Sequence, residues 1–186
     1  MIARSVQLDV PDWVMREVDS GQTFSDDEEK VALAIRLATR NVELATGGPF
    51  GAAVFTDAGQ LVSVGVNRVI PHTCSLAHAE IMAYMLAQQH LRRFRLNETG
   101  EKFLLATSAQ PCCQCYGATI WAGIDTLLIG ARSEDVEELT AFDEGPLPAD
   151  WVGELEKRGI AVRRDILRDQ AREVFLRYRE AGGISY

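Results

Sequence analysis

Along the chain, apolar residues recur first at helical and then at strand spacing. After Ser25, with Glu28 three positions on in the pattern of a capping box, Val31, Ala34, Ile35, Ala38, Val42 and Ala45 share one helical face. Gly47, Gly48 and Pro49 end that run. Two β-rich segments follow, GAAVFT (51–56) and LVSVGVN (61–67), and the intervening Asp57, Ala58, Gly59 and Gln60 suit the tight turn of a hairpin. The segment 77–91 (AHAEIMAYMLAQQHL) is rich in helix formers, whereas FLLATS (103–108) is long enough only for a buried strand.

The alternation continues with a helix from about Cys112 to Trp121, a strand at 126–131, a short helix near Glu134 to Leu139 and a loop from Phe142 to Pro148. A helix over Trp151 to Lys157 and a strand over Ile160 to Arg164 come next. The final helix, from Ile166, gathers Ala171, Val174, Phe175 and Tyr178 on one face before Gly182 and Gly183, which can supply a left-handed cap. The order α, β, β, α, β, α, β, α, β, α predicts an α/β fold with about five strands between two helix layers. No repeat or linker interrupts it, so 1–186 reads as one domain with an N-terminal extension (1–24) and a C-terminal tail (182–186).

Composition agrees with this picture: of 186 residues, 47% are apolar and 25% charged, as in ordinary globular proteins. A chain of this size buries roughly 70% of its unfolded surface and needs no metal staple, so any metal is expected to be functional. Nineteen Lys and Arg against 27 Asp and Glu leave a net charge of −8. The one basic cluster, HLRRFR (90–95), reads as a helix end, and nucleic acid is a poor candidate partner. No run approaches the ~20 apolar residues of a membrane span, and MIARSVQLDVPDW lacks the core of a secretory signal, so a cytoplasmic location is expected. The four cysteines crowd into two places, Cys74 and the trio Cys112, Cys113 and Cys115, which in a reducing compartment points to metal or redox chemistry.

His78, Ala79 and Glu80 open one predicted helix, and Pro111, Cys112, Cys113, Gln114 and Cys115 open another. Alone, the His reads as a core or surface residue and the CxxC as a thioredoxin-like pair. Together, with the first cysteine 34 positions after the His, they form H-x-E…P-C-x-x-C, recognised as the signature of zinc nucleobase deaminases. The chemistry is consistent with one zinc per chain. Cys112 and Cys115, three apart, fall on one side of a helical turn, and the positive end of the helix favours their thiolates. With His78 they make three ligands, the number that distinguishes a catalytic zinc from a closed structural one. Glu80 is placed to move protons between water, substrate and leaving amine; its alternative is a solvated first-turn carboxylate. Cys113 is expected to point away as a small buried hydrophobe, and His72, Cys74 and His90 to serve structural or surface roles.

The chain further resembles the cytidine deaminase-like superfamily, and within it the guanine deaminase branch. The resemblance covers roughly residues 28–186 and rests on AHAE (77–80), PCCQC (111–115), GGPFGAAV (47–54), GVN (65–67), FDE (142–144) and the terminal Tyr186. It implies a three-layer α-β-α sandwich around a central mixed sheet, hydrolysis of guanine to xanthine and ammonia, and a homodimer that exchanges C-terminal segments. By position it implies Phe50 stacking on the purine, Asn67 and the Ala79 backbone N–H bonding its edge, Glu144 assisting at the exocyclic amine, and Tyr186 closing over the site. Read without the resemblance, Phe50 is a core aromatic, Asn67 a strand-end turn residue and Glu144 a loop acid. Gln110 departs from the Glu that many relatives carry before PCxxC. Cytosine or cytidine, an aminotriazine and tRNA adenosine remain alternative substrates, although the last needs a basic surface that a charge of −8 does not suggest. A noncatalytic zinc-binding interaction module is the alternative from another class, and it leaves Glu80 without a use.

Overall fold

Five strands, β1 (Gly51–Thr56), β2 (Leu61–Val66), β3 (Phe103–Ala109), β4 (Thr126–Ala131) and β5 (Ala161–Arg163), form one sheet in the order β2-β1-β3-β4-β5. The computed structural model describes residues 2–185. β1 is antiparallel to β2 and to β3, while β3, β4 and β5 are mutually parallel, so the sheet is mixed as the resemblance implies. The carboxyl ends of β2, β3 and β4 therefore share one edge.

Period-two alternation sends successive strand residues to opposite faces. Ala53, Phe55, Leu104, Ala106 and Leu128 face α2 (Asp27–Glu43) and α8 (Arg168–Glu180), meeting Leu33, Leu37, Val174 and Phe175. Ala52, Val54, Leu105, Leu127 and Ile129 face the other way, onto Ala83 and Tyr84 of α4 (Ala79–Leu91), Ala122 of α5 (Cys113–Ala122) and Leu155 of α7 (Trp151–Glu156). Phe55, Leu105 and Phe175 are fully buried, and each such side chain stabilises the fold by roughly 1.5–3 kcal/mol. The three-layer sandwich follows from the strand pattern.

Differences from the sequence reading are local. The cap of α2 is Asp26, whose Oδ1 accepts the Glu29 N–H at 2.8 Å, while Glu29 Oε2 accepts the Ser25 N–H at 2.7 Å; the capping pair is shifted by one residue. Leu167 adopts φ 53°, which a helix interior does not tolerate, and α8 starts at Arg168 rather than Ile166. α1 (Asp12–Glu17), α3 (Val69–His72) and a 3-10 turn (Leu96–Thr99) are too short for periodicity to reveal. α6 (Ser133–Leu139) falls within a residue of its expected bounds.

The N-terminal extension is packed against the sandwich. Trp13, Val14 and Phe24 are buried in the α2-side core, Trp13 Nε1 donates to Thr46 Oγ1 at 3.1 Å, and Thr23 bridges to Gln60. At the other end, the Gly183 N–H donates to Tyr178 O and the Gly182 N–H to Arg179 O, with Gly182 at φ 71°, the expected left-handed cap. Among the described residues, no helix is long and apolar enough to cross a membrane.

Candidate active site

At the carboxyl edge of the sheet, two helix N-termini meet. His78 is the N-cap of α4, and Cys112 is the N-cap of α5. α4 reaches this position because its first turn lies directly on Gly65 of β2; any Cβ there would run into the Ala79 carbonyl oxygen. Neither N-cap side chain caps its own helix, so both are available to a ligand. His78 Nδ1 lies 3.4 Å from Cys112 Sγ and 3.6 Å from Cys115 Sγ. A tetrahedral zinc with bonds of about 2.0 Å to nitrogen and 2.3 Å to sulfur separates such donors by roughly 3.5 Å. The three residues fit the ion as they stand, and they are the metal-ligating cluster among the described residues. Cys74, His72 and His90 stand outside it, and His72 instead meets the Asp9 carboxylate at 3.2 Å.

The electrostatics follow from this crowding. A hydrogen bond from the Cys115 thiol, opposed by burial and helped by His78, holds the Cys112 thiol down at about 4. Cys115 is pushed up by the same hydrogen bond and by its burial. Burial pulls His78 down, but its bond to Cys112 and the Glu80 carboxylate outweigh it and raise the imidazole. The crowding favours the Cys112 thiolate, and a divalent cation favours both thiolates.

Beside the cluster is a cavity of about 220 Å3, whose wall includes His78, Cys112, Glu80, Glu144, Phe50 and Gln110. Glu80 and Glu144 are 6% and 7% exposed. Burial, reinforced by the Cys112 thiolate, pushes Glu80 up to about 7. Burial with the Cys112 and Glu80 charges pushes Glu144 up to about 8. Two carboxyl groups that can hold or release a proton near neutrality therefore face one small space, the arrangement general acid–base chemistry requires.

Phe50 lines this cavity and packs edge-on against Phe142, with ring centroids 5.2 Å apart. Asn67 is buried at the end of β2, beside Phe50 of the cavity wall. Its N–H donates to Phe50 O at 3.1 Å, its Oδ1 accepts the Val69 N–H at 3.3 Å, and its carbonyl accepts Asn41 Nδ2 at 2.9 Å. Ala79 is buried in the first turn of α4, where the helix supplies no carbonyl for its N–H. Tyr186 lies outside the described residues. Cys113 corrects the sequence reading: it is exposed, because the first turn of α5 directs it away from the ligand side and toward Gly145 at the surface.

The sequence reading missed other members of the site. Val69, Ser75, Phe142 and Asp143 complete the cavity wall, and Gln110, buried, donates through Nε2 to Ser133 Oγ at 3.1 Å. Tyr84 and Thr119 share a buried hydrogen bond beneath the site. Their signal was a hydroxyl residue one turn after Glu80 and one turn after Cys115.

Residues 24–131 match the cytidine and deoxycytidylate deaminase zinc-binding region. The chain belongs to this deaminase family. It is a hydrolytic deaminase with a zinc site, and its mixed sheet flanked by helices is the cytidine deaminase-like fold. A solved guanine deaminase from Nitrosomonas europaea has 40% identity and a TM-score of 0.89, covering 97% of this chain and 98% of its own. The guanine deaminase of Bacillus subtilis is 34% identical over 111 residues, 60% of this chain and 67% of that protein. A tRNA-specific adenosine deaminase of Buchnera aphidicola is 30% identical over 126 residues, 68% of this chain and 76% of that protein.

Proposed function

We propose that this deaminase acts on a free nucleobase, guanine, and hydrolyses it to xanthine and ammonia. The observation that carries the reading is the 40% identity to a solved guanine deaminase over 97% of the chain. The net charge of −8 also disfavours a polyanionic substrate.

Zinc bound by His78, Cys112 and Cys115 would supply Lewis acidity that activates water near neutral pH. The rest of the work falls to the chain's own groups. Glu80 takes one proton from the attacking water and gives it to a purine ring nitrogen, then takes the second from the hydroxyl on the attacked carbon and gives it to the leaving amine; a carboxyl whose pKa burial raises suits both directions of transfer. Glu144 holds a proton near the exocyclic amine. Phe50 stacks on the purine, and Asn67 and the Ala79 N–H bond its edge. Loss of ammonia and gain of the water oxygen balance the reaction.

The protein works as a homodimer, each chain's C-terminal tail with Tyr186 closing over the partner's site and excluding water. Tyr178 Oη donates to the Ile184 carbonyl at 2.7 Å and the Tyr178 ring stacks on Phe142 of the cavity wall, which links the root of the tail to its own chain's site; the exchange between chains rests on the family resemblance. Glu80→Gln tests the mechanism: the variant retains zinc and loses at least the ~10²-fold in kcat expected of an acid–base group, whereas near-normal turnover returns Glu80 to a first-turn carboxylate.

A further inference from the structure

We infer that the turn from Asp143 to Gly145, seated on Cys113, aims Glu144 into the cavity, and that Asp143 and Gly145 are positioning residues for it; the inference rests on the role of Glu144 proposed above. Three contacts define the device. Asp143 Oδ1 accepts the Gly145 N–H at 2.8 Å, closing a turn with Glu144 at its centre. The Glu144 carbonyl accepts the N–H of Cys113 at 2.9 Å, one of the first-turn donors for which α5 has no internal acceptor. Gly145 has φ 68°, and a Cβ on it would stand 2.5 Å from Cys113 Sγ. The positive φ favours glycine there, and any side chain would have to displace the Cys113 thiol.

The consequence is directional. With its carbonyl committed to α5 and the next residue pressed onto Cys113, Glu144 turns its side chain inward, where it is 7% exposed and lines the same cavity as Glu80. Asp143 itself remains exposed, so it has no packing role in the core. Cys113, neither ligand nor core, provides the seat with its N–H and its thiol. An Asn carboxamide oxygen closes the same kind of turn as an Asp carboxylate, so the device depends on an acceptor at position 143 and not on charge.

The test is a double-mutant cycle in zinc-loaded enzyme with guanine as substrate. Asp143→Ala is expected to lower kcat by roughly fivefold, the worth of one hydrogen bond, with zinc content and melting temperature kept, while Asp143→Asn retains at least about half of kcat. In a Glu144→Gln background, Asp143→Ala is expected to cost less than about twofold, because its effect acts through Glu144. If Asp143→Asn is as impaired as Asp143→Ala, charge and not the turn matters, and the inference is overturned. If Asp143→Ala costs the same in both backgrounds, or nothing in the wild-type background while Glu144→Gln is impaired, the inference alone is overturned. Full turnover in Glu144→Gln overturns the role of Glu144 and the inference with it.

Discussion

Tyr84 Oη lies 2.7 Å from Thr119 Oγ1, joining α4 to α5 one turn below Glu80 and Cys115. Both side chains are buried, at 3% and 0% exposure, and Thr119 Oγ1 also donates to the Cys115 carbonyl at 2.8 Å. The two helices that carry the metal ligands are thus tied together by a hydroxyl pair in an otherwise apolar layer. Tyr84→Phe keeps the ring and removes one member of the pair, leaving Thr119 its bond to Cys115. Urea unfolding is expected to show a loss of about 1 kcal/mol. An unchanged midpoint would mean that packing alone holds α4 against α5.

The ligand set makes a separate prediction. Cys112→Ala and Cys115→Ala each remove one of three donors and are expected to lose zinc, while Cys113→Ala, which is outside the cluster, keeps it. Elemental analysis of the purified variants decides this. Full zinc in either ligand variant contradicts the assignment.

The secondary structure and this ligand set were legible in the sequence because each rests on local regularity. Short β-rich and apolar runs marked all five strands, and the i, i+3 spacing of Cys112 and Cys115 placed two donors on one turn. What lay hidden depends on contacts between distant segments. Gly145 reads as an ordinary loop residue until the chain brings it and the Glu144 carbonyl onto Cys113. Asn67 directly follows β2, and its amide oxygen serves the next turn. The helix boundary at Leu167 was hidden too, since nothing in a leucine announces a positive φ.

The C-terminal tail is testable by complementation. Deleting residues 183–186 is expected to leave zinc content and folding intact and to weaken guanine turnover sharply. Mixing the truncated chain with Glu80→Gln chains is expected to restore part of the activity, since each supplies what the other lacks. Full activity of the truncated protein refutes the lid, and loss without rescue in verified mixed dimers assigns each tail to its own site.

Stability should carry the signature of Asp135. This carboxylate is 1% exposed and takes two bonds of 2.7 Å from Arg168, one from Arg172 and one of 2.8 Å from the Arg132 N–H. Burial raises its pKa, but the Arg168, Arg132 and Arg172 bonds outweigh it and bring it down to about 2. A folded pKa below the unfolded one means stability that is full above the unfolded value near 4 and lost as pH falls toward 2. The linkage is worth about 2 kcal/mol. Asp135→Asn should therefore be less stable than wild type at pH 7, with the gap narrowing from about pH 5 downward in urea titrations. A gap that does not change with pH assigns the loss to packing.

Ammonia release from a panel of guanine, cytosine, cytidine, adenine and adenosine, measured with the purified zinc-loaded protein, tests the central claim most directly. Guanine is expected to be the fastest substrate, with xanthine as the co-product and no turnover in Glu80→Gln comparable to wild type. A clear preference for cytidine or adenosine would contradict the assignment of guanine.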